Sequence, residues 1–209
     1  MNKNRTLRQA LPDFIPLAAV DKVATWFDEN HVILKITRNR RTKLGDFRSA
    51  PPGKPCAISV NHDLNRYSFL ITLLHEIAHA EVHLHTTRRV EPHGDLWKST
   101  FRKIAQPFLY DAVFPEPLRS VFASYLINPL ASSTSHLALA TALKEFDTNV
   151  NEITVSMLQP ETLFALPNGR VFKMLGKVRK RYRCYCLDNR RTYLFSPIAV
   201  ITPVTAEKP

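Results

Sequence analysis

The stretch His75-Glu76-Ile77-Ala78-His79 sets two imidazoles four residues apart, with a carboxylate directly after the first. On a helix, positions four apart project from one face about 40° apart, so both rings can reach a single ion; Zn²⁺ takes imidazole nitrogen at about 2.0–2.1 Å. Glu76 leaves the helix in another direction. Its carboxylate can still reach a water on the open position of such an ion and take its proton as the water attacks a polarised carbonyl. The chemistry on offer is metal-assisted hydrolysis, with His75 and His79 as ligands and Glu76 as general base.

A catalytic site of this kind needs a third protein ligand, and His83, His85 and His93 compete for the place. His83 lies eight residues beyond His75, about 12 Å along a straight helix at about 1.5 Å per residue, too far to share one ion. His85 follows His79 by six residues, a spacing known from metalloproteases, but Val82 stands where that pattern needs a helix-breaking glycine. His93 comes after a loop long enough to turn back, and Gly94 separates it from the next helical pattern. His93 is the favoured third ligand and His85 the alternative.

These side chains need a helix under them, and residues 67–85 supply one, with Leu70, Leu73, Leu74, Ile77, Ala78 and Val82 forming its apolar stripe. Before it, 20–30 has the spacing of a short amphipathic helix, while 31–37 alternates as a strand. Residues 38–48 form a basic connection whose Gly45 predicts a hairpin turn, and 56–61 reads as a second strand. After it, 96–109 is helical up to Pro107 and 116–127 is helical until Pro129. Ser132, Ser133 and Ser135 offer caps for a helix reaching Phe146. Beyond 160 the pattern changes. Asn168-Gly169 and Asp188-Asn189 are turn dipeptides between runs of Val, Phe, Tyr and Thr, which predicts β-hairpins. The division expected is an extension at 1–19, a mixed domain at 20–146, a linker at 147–160 and a small β module at 161–209. The fold class is α+β.

With 209 residues, 44% hydrophobic and 22% charged, the chain can bury a core, and 5 glycines with 15 prolines exclude a collagenous or low-complexity composition. No apolar run approaches the roughly 18 residues of a spanning helix. The basic start is followed by Pro16 and Asp21 without a cleavage pattern, so no signal peptide is expected. Three cysteines make no disulfide framework, which points to a reducing, intracellular location, cytoplasmic or nucleoid-associated. The net charge of +11 is concentrated. From Glu161 onward ten basic residues face three acidic ones, and a second cluster runs from Lys35 to Arg48. Such fields attract polyanions, above all nucleic acid. Arg38, Arg40, Arg41, Lys43, Arg179, Lys180, Arg181 and Arg183 are the candidate phosphate contacts, with neighbouring tyrosines available to stack bases.

Taken together, the basic strand-turn 38–48, the strand Ile58-Ser59-Val60-Asn61, the helix segment Leu74–His79 and His93-Gly94-x-x-Trp97-Lys98 resemble the SprT-like (Spartan-related) zinc metallopeptidase family. The resemblance covers roughly residues 20–108. It implies a zincin-like core, zinc held by His75, His79 and His93, Glu76 as catalytic base, and proteolysis of DNA-bound protein, typically crosslinked to the DNA, as in DNA repair. The chain departs from the pattern at its end. Cys184-Tyr185-Cys186 has one intervening residue and no second pair downstream, so no zinc ribbon is expected, and a C-x-C strand should point both thiols to one face. Two other readings remain open: a DNA-binding or scaffolding protein with little peptidase activity, and a zinc hydrolase with a non-protein substrate.

Overall fold

The computed structural model describes residues 5–40, 42–87, 90–132, 135–147 and 152–204, and the chain divides into two compact units, Met1–Asp147 and Thr148–Pro209. Arg41 lies outside the described residues, as does Ser133. The fold is mixed α+β, as expected.

The first unit is built around one long helix. Short α1 (Leu7–Ala10) is held by a capping box between Thr6 and Gln9, and the chain after it buries Leu11 and Ile15 completely. The expected N-terminal extension is therefore part of the core, because its apolar residues cluster over too few positions to show a periodicity. Helix α2 (Val20–Asn30) buries Val20, Val23, Ala24 and Phe27, and ends where His31 turns left-handed. Strands β1 (Ile33–Thr37), β2 (Gly45–Arg48) and β3 (Ala57–Asn61) follow. They make a sheet in the order β1-β3-β2, with β1 parallel and β2 antiparallel to the central β3. The predicted hairpin turn at Gly45 is instead the first residue of β2.

Helix α3 (Arg66–His85) starts at Asn65, whose side chain accepts hydrogen bonds from the backbone of Tyr67 and Ser68 and donates to the Leu143 carbonyl at 2.9 Å. Between Phe69 and Ala80 nearly every α3 side chain is buried, so this is an enclosed helix rather than one with a single apolar stripe. The sheet packs on it, as does α4 (Asp95–Ala105), which buries Trp97, Phe101 and Ala105; α5 (Leu118–Ile127) packs on α4 and α6 (Leu137–Lys144) on α5, both filling the same core. The cap of α6 is His136, whose Nδ1 accepts from the Leu139 backbone, and none of the serines fills that role.

The basic connection before β2 has a structural duty. The Arg40 guanidinium donates from Nε to Asn61 Oδ1 at 2.8 Å and from Nη1 to Ser59 Oγ at 3.0 Å, while Asn61 Nδ2 donates to the Lys43 carbonyl at 3.0 Å. Arg40, one of the expected phosphate contacts, thus also ties the connection to β3. Lys43 pairs with Asp46 at 2.9 Å. Arg38 is exposed, with no side-chain partner among the described residues.

The second unit is an antiparallel sheet of six strands in the order β4-β9-β5-β6-β7-β8. These are β4 (Ile153–Thr154), β5 (Leu163–Ala165), β6 (Val171–Val178), β7 (Arg181–Cys186), β8 (Thr192–Phe195) and β9 (Val200–Pro203). The two predicted hairpins are present as β5-β6 and β7-β8. Phe164, Phe172, Met174, Cys184 and Cys186 form its core, so both thiols do face one way. Between Met174 and Gly176 the register slips by a bulge, and Gly176 takes φ +146°, a conformation glycine adopts without strain. The expected linker is shorter than drawn, because β4 pairs with β9 and Val155 is fully buried in this second core. Among the described residues no helix is long and apolar enough to cross a membrane.

Arg40→Ala should lower the stability of the first unit by roughly 1.5–3 kcal/mol, the value of hydrogen bonds to a charged group, whereas exposed Arg38→Ala should change it by less than about 0.5 kcal/mol. Urea denaturation of both variants beside the parent checks this. Equal midpoints for Arg40→Ala and parent would deny Arg40 this structural duty.

Candidate metal centre

His75 and His79 project from one face of α3, and His93 reaches them from the loop that leads into α4. The backbone at His93 is left-handed, with φ +60°, a conformation a residue with a Cβ adopts at some cost. Gly94 then caps α4: its N–H bonds back to the Glu91 carbonyl and its own carbonyl accepts from Lys98. A Cβ on Gly94 would press on Glu91, at 3.2–3.3 Å. This tight turn swings the imidazole of His93 over the helix.

The three Nε2 atoms lie 3.2, 3.0 and 3.1 Å from one another. Each neutral imidazole carries one N–H, so three such nitrogens facing each other cannot all be satisfied by mutual hydrogen bonds. A point about 2.05 Å from all three would see them about 94–103° apart, near the tetrahedral angle of about 109°. The donor set therefore fits a metal ion held by three imidazoles with a fourth position open. Trp97 packs against all three rings at centroid distances of 4.6, 5.2 and 4.6 Å, stacked on His79, and Phe101 lies behind His75.

Burial, together with the neighbouring imidazoles, lowers the pKa of His75 to about 3. Burial and then His93 lower that of His79 to about 4, and burial lowers that of His93. All three are neutral near pH 7 and present lone pairs, as metal ligation requires. Glu76 is 7% exposed. Burial, and next the charge of Asp46, push its carboxyl up to about 7, against the Phe47 backbone N–H and the cations Arg40 and Lys43. A divalent cation at the trio would act on Glu76 in the opposite sense.

Strand β2 passes close over this carboxylate. A Cβ on Gly45 would sit 2.7 Å from Glu76 Oε1 and 2.7 Å from Thr72 Cγ2, so only glycine admits the approach. The structure brings together His75, Glu76, His79 and His93. It does not bring in His83, which packs on Phe47, or His85, which is exposed and bound to Glu81 at 3.0 Å. The sequence reading missed two features: Gly45 as a contact of Glu76, and a wall beside the site made by Tyr125, Ala131 and Ser132. Glycine in a basic connection was a signal for the first. Nothing local marks the second.

Arg179, Lys180, Arg181 and Arg183 are exposed at the β6-β7 turn and along β7. Among the described residues, none makes a side-chain hydrogen bond or ion pair.

Residues 18–116 match the model of the SprT-like family. No curated protein and no solved structure matches the chain.

Replacing His75, His79 or His93 by alanine should strip the site of metal, while His83→Ala and His85→Ala should bind it as the parent does. Metal analysis after dialysis against zinc-containing buffer decides this; full occupancy in His93→Ala with loss in His85→Ala would reassign the third ligand.

Proposed function

Starting from residues 18–116 as an SprT-like domain, we propose that the chain is a zinc-dependent endopeptidase acting on protein that is bound or crosslinked to DNA. The observation that carries the reading is the convergence of three neutral imidazoles beside a buried glutamate. Imidazole ligands suit Zn²⁺ among the available divalent ions, and a zincin-like core is the arrangement the family implies. A zinc ion bound there supplies a Lewis acid, which polarises a carbonyl and acidifies a water. His75, His79 and His93 hold the ion in a fixed position, braced by Trp97. Glu76 takes a proton from the attacking water and returns it to the leaving amine. Its carboxylate is confined by the bare backbone of Gly45.

The DNA part of the proposal rests on the resemblance and on the unpaired cations of β7. Lysine and arginine side chains without protein partners lose little on meeting phosphates, and they gain by releasing counterions. Such a module would raise the local concentration of DNA-bound protein near the zinc site. Free thiols at Cys56, Cys184 and Cys186 support an intracellular, reducing location, cytoplasmic or nucleoid-associated.

Glu76→Gln should keep its zinc and lower turnover of a DNA-bound protein substrate by about 10²–10⁴-fold, since it removes a base and not a ligand. Equal turnover in variant and parent would remove Glu76 from the chemistry. No hydrolysis by the zinc-loaded parent would favour the scaffolding reading.

Neutralising Arg179, Lys180, Arg181 and Arg183 together should weaken binding to every DNA sequence and flatten the plot of log affinity against log salt by up to about 3.6 on duplex DNA. Fluorescence anisotropy across a salt series measures it, and an unchanged slope would withdraw the module from DNA binding.

A further inference from the structure

The three-stranded sheet of the first unit turns one side to the core and the other away from it. Successive residues of a strand face opposite sides. Leu34, Ile58 and Val60 are buried in the core, and Gly45 faces Glu76. The register then sets Lys35 beside Ser59 and Ser59 beside Asp46 on the outward side, with Ile33, Ala57 and Arg48 as the next row. Lys35 and Arg48 are exposed there. Asp46, the acid of these rows, is already shared by Lys43 at 2.9 Å and Arg48 at 2.8 Å.

Where β1 ends, a cavity of about 280 Å³ adjoins this side. Its floor is apolar, made by Ala10, Phe14 and Ile36, and Phe14 stacks on Phe69 of α3 at 5.2 Å. Around it stand Arg5, Asp13, Arg38 and His62. Arg38 and His62 are exposed, and among the described residues their side chains have no partner. Arg5 is fixed by Asp13 at 2.7 Å and by the Gln9 carbonyl. A guanidinium has five N–H groups, so Arg5 keeps donors for a further acceptor. One water takes about 30 Å³, which leaves the cavity roomy enough for a hydrated phosphate group. We propose that this cavity seats one phosphate of a duplex DNA backbone, and that Lys35 and Arg48 on the adjoining sheet face meet neighbouring phosphates. The inference rests on the DNA part of the proposed function and adds to it a contact site on the unit that carries the metal centre.

Three observations support it. The first is charge: the cations of this face outnumber its acids, and the acids, Asp13 and Asp46, are each engaged by a neighbouring cation. Duplex DNA carries one negative charge per about 1.7 Å of its axis, so it answers such a face better than a sparsely charged chain does. The second is order. Arg40 lies across Ser59 and Asn61 and Arg5 is held by Asp13, which fixes the face before a ligand arrives. The third is the lack of rings. None of the outward positions of β1, β2 and β3 is aromatic, so this face offers phosphate contacts and no surface on which to stack a base. It should bind every sequence alike and should not favour single strands.

The test uses the zinc-loaded full chain, the variant neutralised at Arg179, Lys180, Arg181 and Arg183, the triple variant Lys35→Gln, Arg38→Gln, Arg48→Gln, and the two combined. Fluorescence anisotropy across a salt series measures binding to a duplex and to a single strand of equal length. The β7 variant should keep salt-dependent duplex binding, no weaker than its binding to the single strand. The triple variant should bind the duplex about tenfold or more weakly than the parent at low salt and lose up to about 2.7 of the slope. All three of its positions are exposed, so urea midpoints and zinc content should hold; Arg38→Gln alone, which touches no ion pair, should give a smaller change in the same direction. In the parent the His62 ring resonances, assigned by their loss in His62→Gln, should shift as duplex is added. A parental slope in the triple variant, an unmoved His62, or displacement of the DNA by polyglutamate at equal charge concentration would overturn the inference. The readings fail separately. Loss of all duplex binding in the β7 variant refutes this face and keeps the β7 module, unchanged binding there with loss in the triple variant does the reverse, and a parent that binds no DNA refutes both.

Discussion

Three imidazole nitrogens within 3.2 Å of one another impose a condition on everything around them. They must be neutral, they must be held, and the backbone that carries them must be shielded enough to stay rigid. Charged rings at that separation would repel strongly, and in this site burial suppresses protonation of all three. That burial in turn requires α3 to be enclosed. A helix with a single apolar stripe would leave His75 and Glu76 in water, whereas here the sheet, α4 and the core from Leu11 to Phe27 surround it. The apolar excess of α3 and the polar motif it carries are two sides of one requirement.

The same requirement accounts for the edge of the sheet. Strand β2 comes close enough to confine Glu76, which demands a residue without a side chain at Gly45. It must also be kept there although it is an edge strand with one neighbour. Arg40 and Asn61 answer that need by clamping the connection onto β3. Residues that look like an invitation to phosphate are, in part, the fixture of the strand that lies over Glu76. Charge alone does not distinguish the two uses. An arginine next to buried acceptors is drawn inward, whereas Arg38, with none in reach, stays in solvent.

How much could be seen in the sequence follows from the range of the interactions involved. Helix α3 and the gathering of His75, His79 and His93 were legible because their geometry is set by spacing within one helix and one loop. The hairpins of the second unit were legible because turn dipeptides act locally. Less was visible wherever the deciding partner is distant along the chain. Leu11 and Ile15 join a core whose other members lie up to Leu143, so the start looked like an extension. Val155 and β4 belong to a sheet completed by β9, so they looked like a linker. Arg40 is explained by Asn61 and Ser59, and the wall at Tyr125 by Arg102 and Lys98. His136 caps α6 in place of the serines because its Nδ1 can accept as a serine oxygen does, while its ring packs on Tyr125.

Trp97 shows how the chain secures ligand orientation without polar partners. Ligating histidines are commonly fixed by a hydrogen bond from the second ring nitrogen to a carboxylate or carbonyl. Among the described residues no hydrogen bond engages Nδ1 of His75, His79 or His93. Aromatic surface takes that part, with Trp97 stacked on His79 and tilted or edge-on to the other two rings, and Phe101 stacked behind it at 5.1 Å. Packing restrains ring planes but leaves the nitrogens less electron-rich than a carboxylate partner would. Phe101, which also backs the cavity beside Glu76, ties the packing of the three imidazoles to that of α5 through Phe122 and Tyr125.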